Sequence, residues 1–170
     1  MRFAPFLLDP STPIEGKPRK QMSQPDSPPS AMEARGATLG AIFSRGRQWT
    51  SNSLLAHEAS EFITEHESPE IAWAFHRAMF KAYFTDFADV AKQDLLLEVA
   101  NSSGVSVDPL RTALEARSYQ EQVMDGLRWA RQAGVTAVPT FVFDDQYALV
   151  GAQDLAVMEQ MMQQLGKQPR

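Results

Sequence analysis

The 170-residue chain contains no cysteine. That absence removes disulfide formation, thiol exchange and thiolate metal ligation together, because each needs a deprotonated sulfur. No window approaches the roughly 20 apolar residues that a membrane-spanning helix requires. The apolar start from Phe3 to Leu8 is short, is broken by Pro5 and runs into Asp9-Pro10, so it does not read as a secretory signal. A soluble, cytoplasmic protein with no membrane partner is the expectation. Positive charge is also scarce: the net charge is -5 and the pI about 5.2, which argues against nucleic acid as a partner because phosphate binding needs concentrated basic charge. The nine glycines form neither G-x-G-x-x-G nor a P-loop. His57, His66 and His76 do not fall into H-x-H or H-x-x-x-H, and without cysteine a structural zinc site is not expected. No cofactor is expected.

What is present suits a single domain with a sizeable core, since 44% of the residues are hydrophobic. Residues 1 to 47 hold seven Lys/Arg against four Asp/Glu, net +3, and the remainder is net -8. The basic part coincides with Pro13, Pro18, Pro25, Pro28 and Pro29, so residues 11–36 are expected to be a mobile Pro/Ser-rich loop and not a binding patch. Within it Ser27 can cap and Pro28 can open a short helix from Pro29 to Arg35.

Arg2 to Leu8 reads as a strand near a sheet edge, because Pro5 cannot donate to a ladder. From Asn52 the period becomes helical, with Leu55, Ala59, Phe62, Ile63 and His66 at spacings of three and four. Ser68-Pro69 starts a second helix with Ile71, Phe75, Ala78, Met79 and Ala82 on one face and Trp73, Phe80 and Phe84 on the other. Apolar on most sides, it is expected to be buried. Leu95, Leu96, Val99 and Ala100 form a helix that stops at Gly104, and Asp108-Pro109 begins another with Leu110 and Leu114 inward. Ser118 and Glu121 have capping-box spacing before a helix bearing Val123, Leu127 and Ala130, which ends at Gly134. The period then shortens. Ala137 to Phe143, a turn at Asp144-Asp145-Gln146, and Tyr147 to Val150 read as an antiparallel hairpin. A last helix carries Leu155, Met158, Met162 and Leu165.

Few residues suggest chemistry. Met158, Met161 and Met162 share helical spacing, which suits core filling better than soft-metal binding. Asp144-Asp145 fits a turn better than a catalytic pair. Gly36 and Gly40 read as turn or packing glycines. Pro139 stands out at the head of an otherwise good strand, where a trans and a cis Val138-Pro139 bond fit equally well on local grounds.

Gly134-Val135-Thr136-Ala137-Val138-Pro139-Thr140-Phe141-Val142-Phe143, with Gly151-Ala152-Gln153 after it, resembles the C-terminal half of DsbA-like oxidoreductases of the FrnE type. Arg2 to Pro10 resembles the strand after that family's first helix, Asn52 to His57 a motif of its helical insertion, and Ala82 to Thr85 with Asp89 a further stretch. The resemblance implies an α/β, thioredoxin-like fold with a large inserted helical domain. Residues 1–10 and 135–166 would be the remnant of the thioredoxin-like domain and 37–134 the helical insertion. It also implies a cis Pro139 whose neighbours Val138 and Thr140 bind an extended peptide or a protein thiol substrate. In the family a first strand and a C-x-x-C precede the stretch that begins here, so the N-terminal strand-helix unit is expected to be missing. No catalytic residue carries over.

The expectation is therefore a DsbA-family relative, truncated or redox-inactive. One alternative is a glutathione-dependent enzyme of the kappa transferase or 2-hydroxychromene-2-carboxylate isomerase type, which needs no cysteine, although the Gly-Ala-Gln run is more FrnE-like and glutathione is the less favoured ligand. Another is a non-catalytic peptide-binding module. Because the family's first strand lies mid-sheet, the resemblance further implies unpaired strand edges and self-association through them.

Overall fold

The structure is a computed structural model that describes residues 3–19 and 26–166. The elements run β1 (Lys17–Pro18), α1 (Ala31–Thr38), β2 (Trp49–Thr50), α2 (Leu54–His66), α3 (Pro69–Phe84), α4 (Gln93–Ser102), α5 (Val107–Glu115), α6 (Gln120–Gln132), β3 (Thr140–Phe143), β4 (Tyr147–Val150) and α7 (Leu155–Gln164). They divide into two compact units, Asp9–Gly126 and residues 3–8 with 127–166, and the boundary falls inside α6.

The helical unit owes its core to the three-and-four spacing. Ala59 and Ile63 of α2, Phe75 of α3, Leu96 and Ala100 of α4, and Leu110 and Leu114 of α5 are each at most 2% exposed and belong to one apolar cluster. Each large side chain fully buried in this way contributes about 1.5–3 kcal/mol. Ser68 caps α3 by accepting the Ile71 N–H, and Pro69 sits in the first turn, where its missing donor costs nothing. Gly104, at φ +91, ends α4 in a Schellman motif, with Gly104 N donating to Asn101 O and Val105 N to Ala100 O.

Five expectations need correction. Residues 3–8 form no strand. Pro5 lacks a donor, and among the described residues no neighbouring strand supplies a ladder. The stretch 11–36, expected to be a loop apart from one short helix, also carries β1 in its described part, while residues 20–25 lie outside the description. Lys17 pairs with Thr50 and Pro18 with Trp49. The helix expected from Pro29 to Arg35 begins later: Ser30 and not Ser27 caps it, forming a capping box with Glu33. Arg45 then clamps the Glu33 carboxylate, Nε to Oε1 at 2.8 Å, and that pairing lowers the Glu33 pKa to about 2. The Ser118 capping box is overtaken by turns, and α6 starts only at Gln120.

The face of α3 opposite the core is exposed instead of buried: Trp73 is 43% and Phe80 56% accessible. All three tryptophans, Trp49, Trp73 and Trp129, keep about two-fifths of their surface in solvent. Gly36 is a packing glycine, since a Cβ there would meet the Phe43 ring at 2.5 Å, and Gly40, at φ +76, is a turn glycine.

Polar residues also enter this unit's interior. Glu58, 1% exposed, accepts hydrogen bonds from Arg117 Nε at 3.0 Å on both carboxylate oxygens. Glu61 accepts one from Gln122 Nε2 at 2.7 Å. His76 is within hydrogen-bond distance of Ser60 Oγ, 3.2 Å from Nδ1, and burial pushes its pKa below the usual 6.5 although Glu61 opposes the shift. The native state therefore binds fewer protons at this site than the unfolded chain. Stability should be greatest above pH 6.5 and fall as pH drops through 6.5 toward the lower native pKa. Urea midpoints at about pH 8 and about pH 5 should differ more for the wild type than for His76→Gln. Equal differences would show that His76 carries none of the pH dependence.

In the other unit, β3 and β4 pair antiparallel in the register Thr140–Val150, Phe141–Leu149, Val142–Ala148 and Phe143–Tyr147. The connecting turn places Asp144 at φ +49 and Asp145 at φ +55, and Gln146 N closes it on Phe143 O at 3.0 Å. Two positive φ values in succession match the twist of the strands, and Asp tolerates them better than most residues. Asp145→Gly should stabilise the hairpin by about 0.5–1 kcal/mol by relieving the left-handed residue. Slower amide exchange at Phe141 and Leu149 would report it, and faster exchange would contradict the turn geometry. α7 turns Met158, Met161, Met162 and Leu165 half inward but buries none of them fully.

Candidate functional site

The three residues singled out by sequence, Val138, Pro139 and Thr140, lie where α6 hands over to β3. α6 ends in a second Schellman motif: Gly134, at φ +72, donates to Arg131 O at 3.1 Å and Val135 N to Ala130 O at 2.9 Å. The next residues form a bend that enters β3 at Thr140. The Val138–Pro139 peptide bond is cis. Thr140 Oγ1 donates to Ala137 O at 2.7 Å, tying the bend to the strand start. The Val138 side chain is 47% exposed, and Pro139 is also exposed.

The ladder decides which backbone groups are free. Gly151 N donates to Pro139 O at 2.7 Å, so residues 139, 141 and 143 direct their peptide groups toward β4. Antiparallel alternation then turns the N–H and C=O groups of Thr140 and Val142 the other way. Among the described residues nothing pairs with this outer row of β3. At the far side of the hairpin, Gln153 folds back on it, with Nε2 donating to Val150 O at 2.7 Å. The Gly151-Ala152-Gln153 run thus fixes the end of β4 beside Pro139.

A family model described as a DSBA-like thioredoxin domain matches residues 1–163. The chain belongs to this family. The crystal structure of the probable DsbA oxidoreductase SCO1869 from Streptomyces coelicolor is similar, at 26% identity and a TM-score of 0.69, over 82% of this chain and 59% of that one. YwbO, an uncharacterized protein of Bacillus subtilis strain 168, is 31% identical over 90 residues, which is 52% of this chain and 42% of YwbO. The DSBA-like chain therefore spans less than half of YwbO and about three-fifths of SCO1869. The thioredoxin-like fold class with its helical part follows from the family match and the structural likeness.

This DSBA-like domain has no thiol anywhere in its 170 residues. No titratable side chain belongs to the Val138–Thr140 segment itself, so what it offers is backbone hydrogen bonding and an exposed apolar side chain. Among the described residues no group of three or more His, Asp or Glu is placed to hold a metal ion, and no helix is long and apolar enough to cross a membrane. A shallow depression lined by Asp94, Leu97, Glu98, Asn101, Val107 and Arg111 is open to solvent and mixes both signs of charge. Sequence reading missed two polar arrangements in the helical unit, the Glu58–Arg117 pair and the surroundings of Arg47. Each joins residues far apart in the chain; the only local signal was a charged residue on an otherwise inward helix face or beside a short strand.

Proposed function

We propose that this chain is a peptide-binding member of the DsbA-like family that performs no thiol–disulfide exchange of its own. The observation that carries the reading is the unpaired outer row of β3, where Thr140 and Val142 present donors and acceptors to an extended partner. A peptide laid along that row gains main-chain hydrogen bonds irrespective of its sequence, and Val138 offers an apolar contact for one of its side chains. The FrnE-type pattern from Gly134 to Phe143 with Gly151-Ala152-Gln153 supports the same use of the segment. The redox part rests on chemistry: the attacking species in disulfide exchange is a thiolate, and no residue of this chain supplies one.

Two measurements test the reading. An extended, cysteine-free peptide titrated into the full, isotopically labelled chain should shift the amide resonances of Val138, Thr140 and Val142. Val142→Pro removes one outward donor while sparing the bonds to β4, and it should weaken binding on the order of tenfold. Shifts confined to residues 9–126, or unchanged affinity in that variant, would sink the peptide role. Insulin reduction by dithiothreitol should run at the buffer rate with the chain present, and turnover above that rate would refute the redox part.

A further inference from the structure

Arg47 lies beside the short β1–β2 ladder, which the Arg19 N to Gln48 O hydrogen bond of 2.9 Å extends by one step. Only 9% of Arg47 is exposed. Its guanidinium carbon stands 3.7 Å from the centroid of the Tyr83 ring and 5.3 Å from that of Phe87. Among the described residues its one hydrogen bond is marginal, from Nη1 to Trp49 O at 3.5 Å. Nη2 is fully buried without a partner, and so is the hydroxyl of Ser51, the residue that follows β2.

A buried guanidinium is ordinarily paired with an anion, because aromatic faces replace only part of its lost hydration. Here the ion pairs of the described residues do not include it. Burial works against its charge most and Arg19 adds to that, whereas Tyr83 and Asp89 favour it. Asp89 is engaged elsewhere: Oδ1 accepts the Ala91 N–H at 3.2 Å, and Oδ2 lies 3.9 Å from Lys92 Nζ. Among the described residues Arg47 Nη2 and Ser51 Oγ are thus buried donors without an acceptor, a second cation, Arg19, lies near, and the one facing carboxylate, Asp89, makes no ion pair with Arg47. Phe87, against the guanidinium, holds φ at +58, a costly conformation for an aromatic residue.

We propose that Arg47 Nη2 and Ser51 Oγ, with Arg19 beside them, bind one oxyanion group, a phosphate or a carboxylate carried by a small ligand. The guanidinium supplies a charge-assisted donor already held in place by Tyr83, the hydroxyl supplies a second donor, and the exposed Arg19 draws the anion in from solvent. The site belongs wholly to the Asp9–Gly126 unit and does not depend on the role given to β3.

Calorimetric titration of the full chain with inorganic phosphate, and separately with succinate, at ionic strength held constant with sodium chloride, decides the matter. One saturable site per chain is expected for at least one of the two. A response to phosphate alone identifies a phosphoryl ligand, and a response to succinate alone a carboxylate. Arg47→Met should weaken binding more than about tenfold, the size of a lost charge-assisted hydrogen bond, and Ser51→Ala by about fivefold. The guanidinium nitrogen resonances of Arg47 should move on saturation. If neither anion binds saturably, or Arg47→Met binds like the wild type, the proposal is wrong. Should Arg47→Met fail to fold, unchanged affinity in Ser51→Ala overturns it equally.

Discussion

Phe75→Ala should cost the helical unit about 3–5 kcal/mol, through the lost transfer of the ring and the cavity it leaves behind. Phe75 is 1% exposed and belongs to the apolar cluster formed by α2, α3, α4 and α5, so little nearby can move in to fill the space. A domain of this size is stable by only about 5–15 kcal/mol, and the variant should melt tens of degrees earlier or fail to accumulate. Phe80→Ala is the matched control. It removes the same side chain from the same helix at a position that is 56% exposed, and it should change stability by less than about 1 kcal/mol. Thermal melts followed by far-UV ellipticity separate the two. Similar losses in both would mean that both faces of α3 are covered.

Arg117→Leu should lose about 3 kcal/mol, because it strands the Glu58 carboxylate in the interior without its counter-ion. The low end of the range for broken buried pairs applies, since the Arg117 side chain is 41% exposed and water screens part of its charge. Pairing with Glu58 raises the pKa of Arg117, so the guanidinium stays charged throughout the accessible range. The double variant Glu58→Leu/Arg117→Leu should recover most of the loss, as removing both members spares the unpaired charge. Arg117 also occupies φ +53. Arg117→Gly should therefore be about 1 kcal/mol less harmful than Arg117→Ala, though still below the wild type. Urea unfolding of the set measures these differences, and a wild-type midpoint for Arg117→Leu would show that the pair contributes nothing.

The contrast between these positions explains how far the sequence could be read. Helix positions follow from local rules: the spacing of Ala59, Phe62 and Ile63, the Ser68-Pro69 start and the Gly104 stop each act within a few residues. The hairpin was legible for the same reason, from alternation around a turn rich in Asp. Strands of two residues carry no periodicity, so β1 and β2 were invisible inside a Pro-rich stretch. The strand expected at residues 3–8 had the composition of a strand but no partner, and partners are a tertiary property. Aromatic residues on both faces of α3 suggested burial all round, whereas the structure covers only one face; composition states what a helix could bury, not what is available to cover it. The candidate segment Val138–Thr140 could be named because proline marks its own position. The Glu58–Arg117 contact spans 59 positions, and the Arg47 surroundings draw on residues from Arg19 to Asp89. No local rule reaches so far.

Because Trp49, Trp73 and Trp129 are all partly in water in the native state, the chain is a poor emitter of structural news. Indole fluorescence shifts to the red when a buried ring becomes solvated, and here each ring is part-way there before anything unfolds. The emission maximum should lie well to the red for a folded protein and move little in denaturant. A flat fluorescence trace would then say nothing about whether the cluster around Phe75 has come apart. Moving the signal inward by Phe75→Trp would overfill the space, so Phe62→Trp, at a position 6% exposed beside Tyr119, is the better place to install an optical probe.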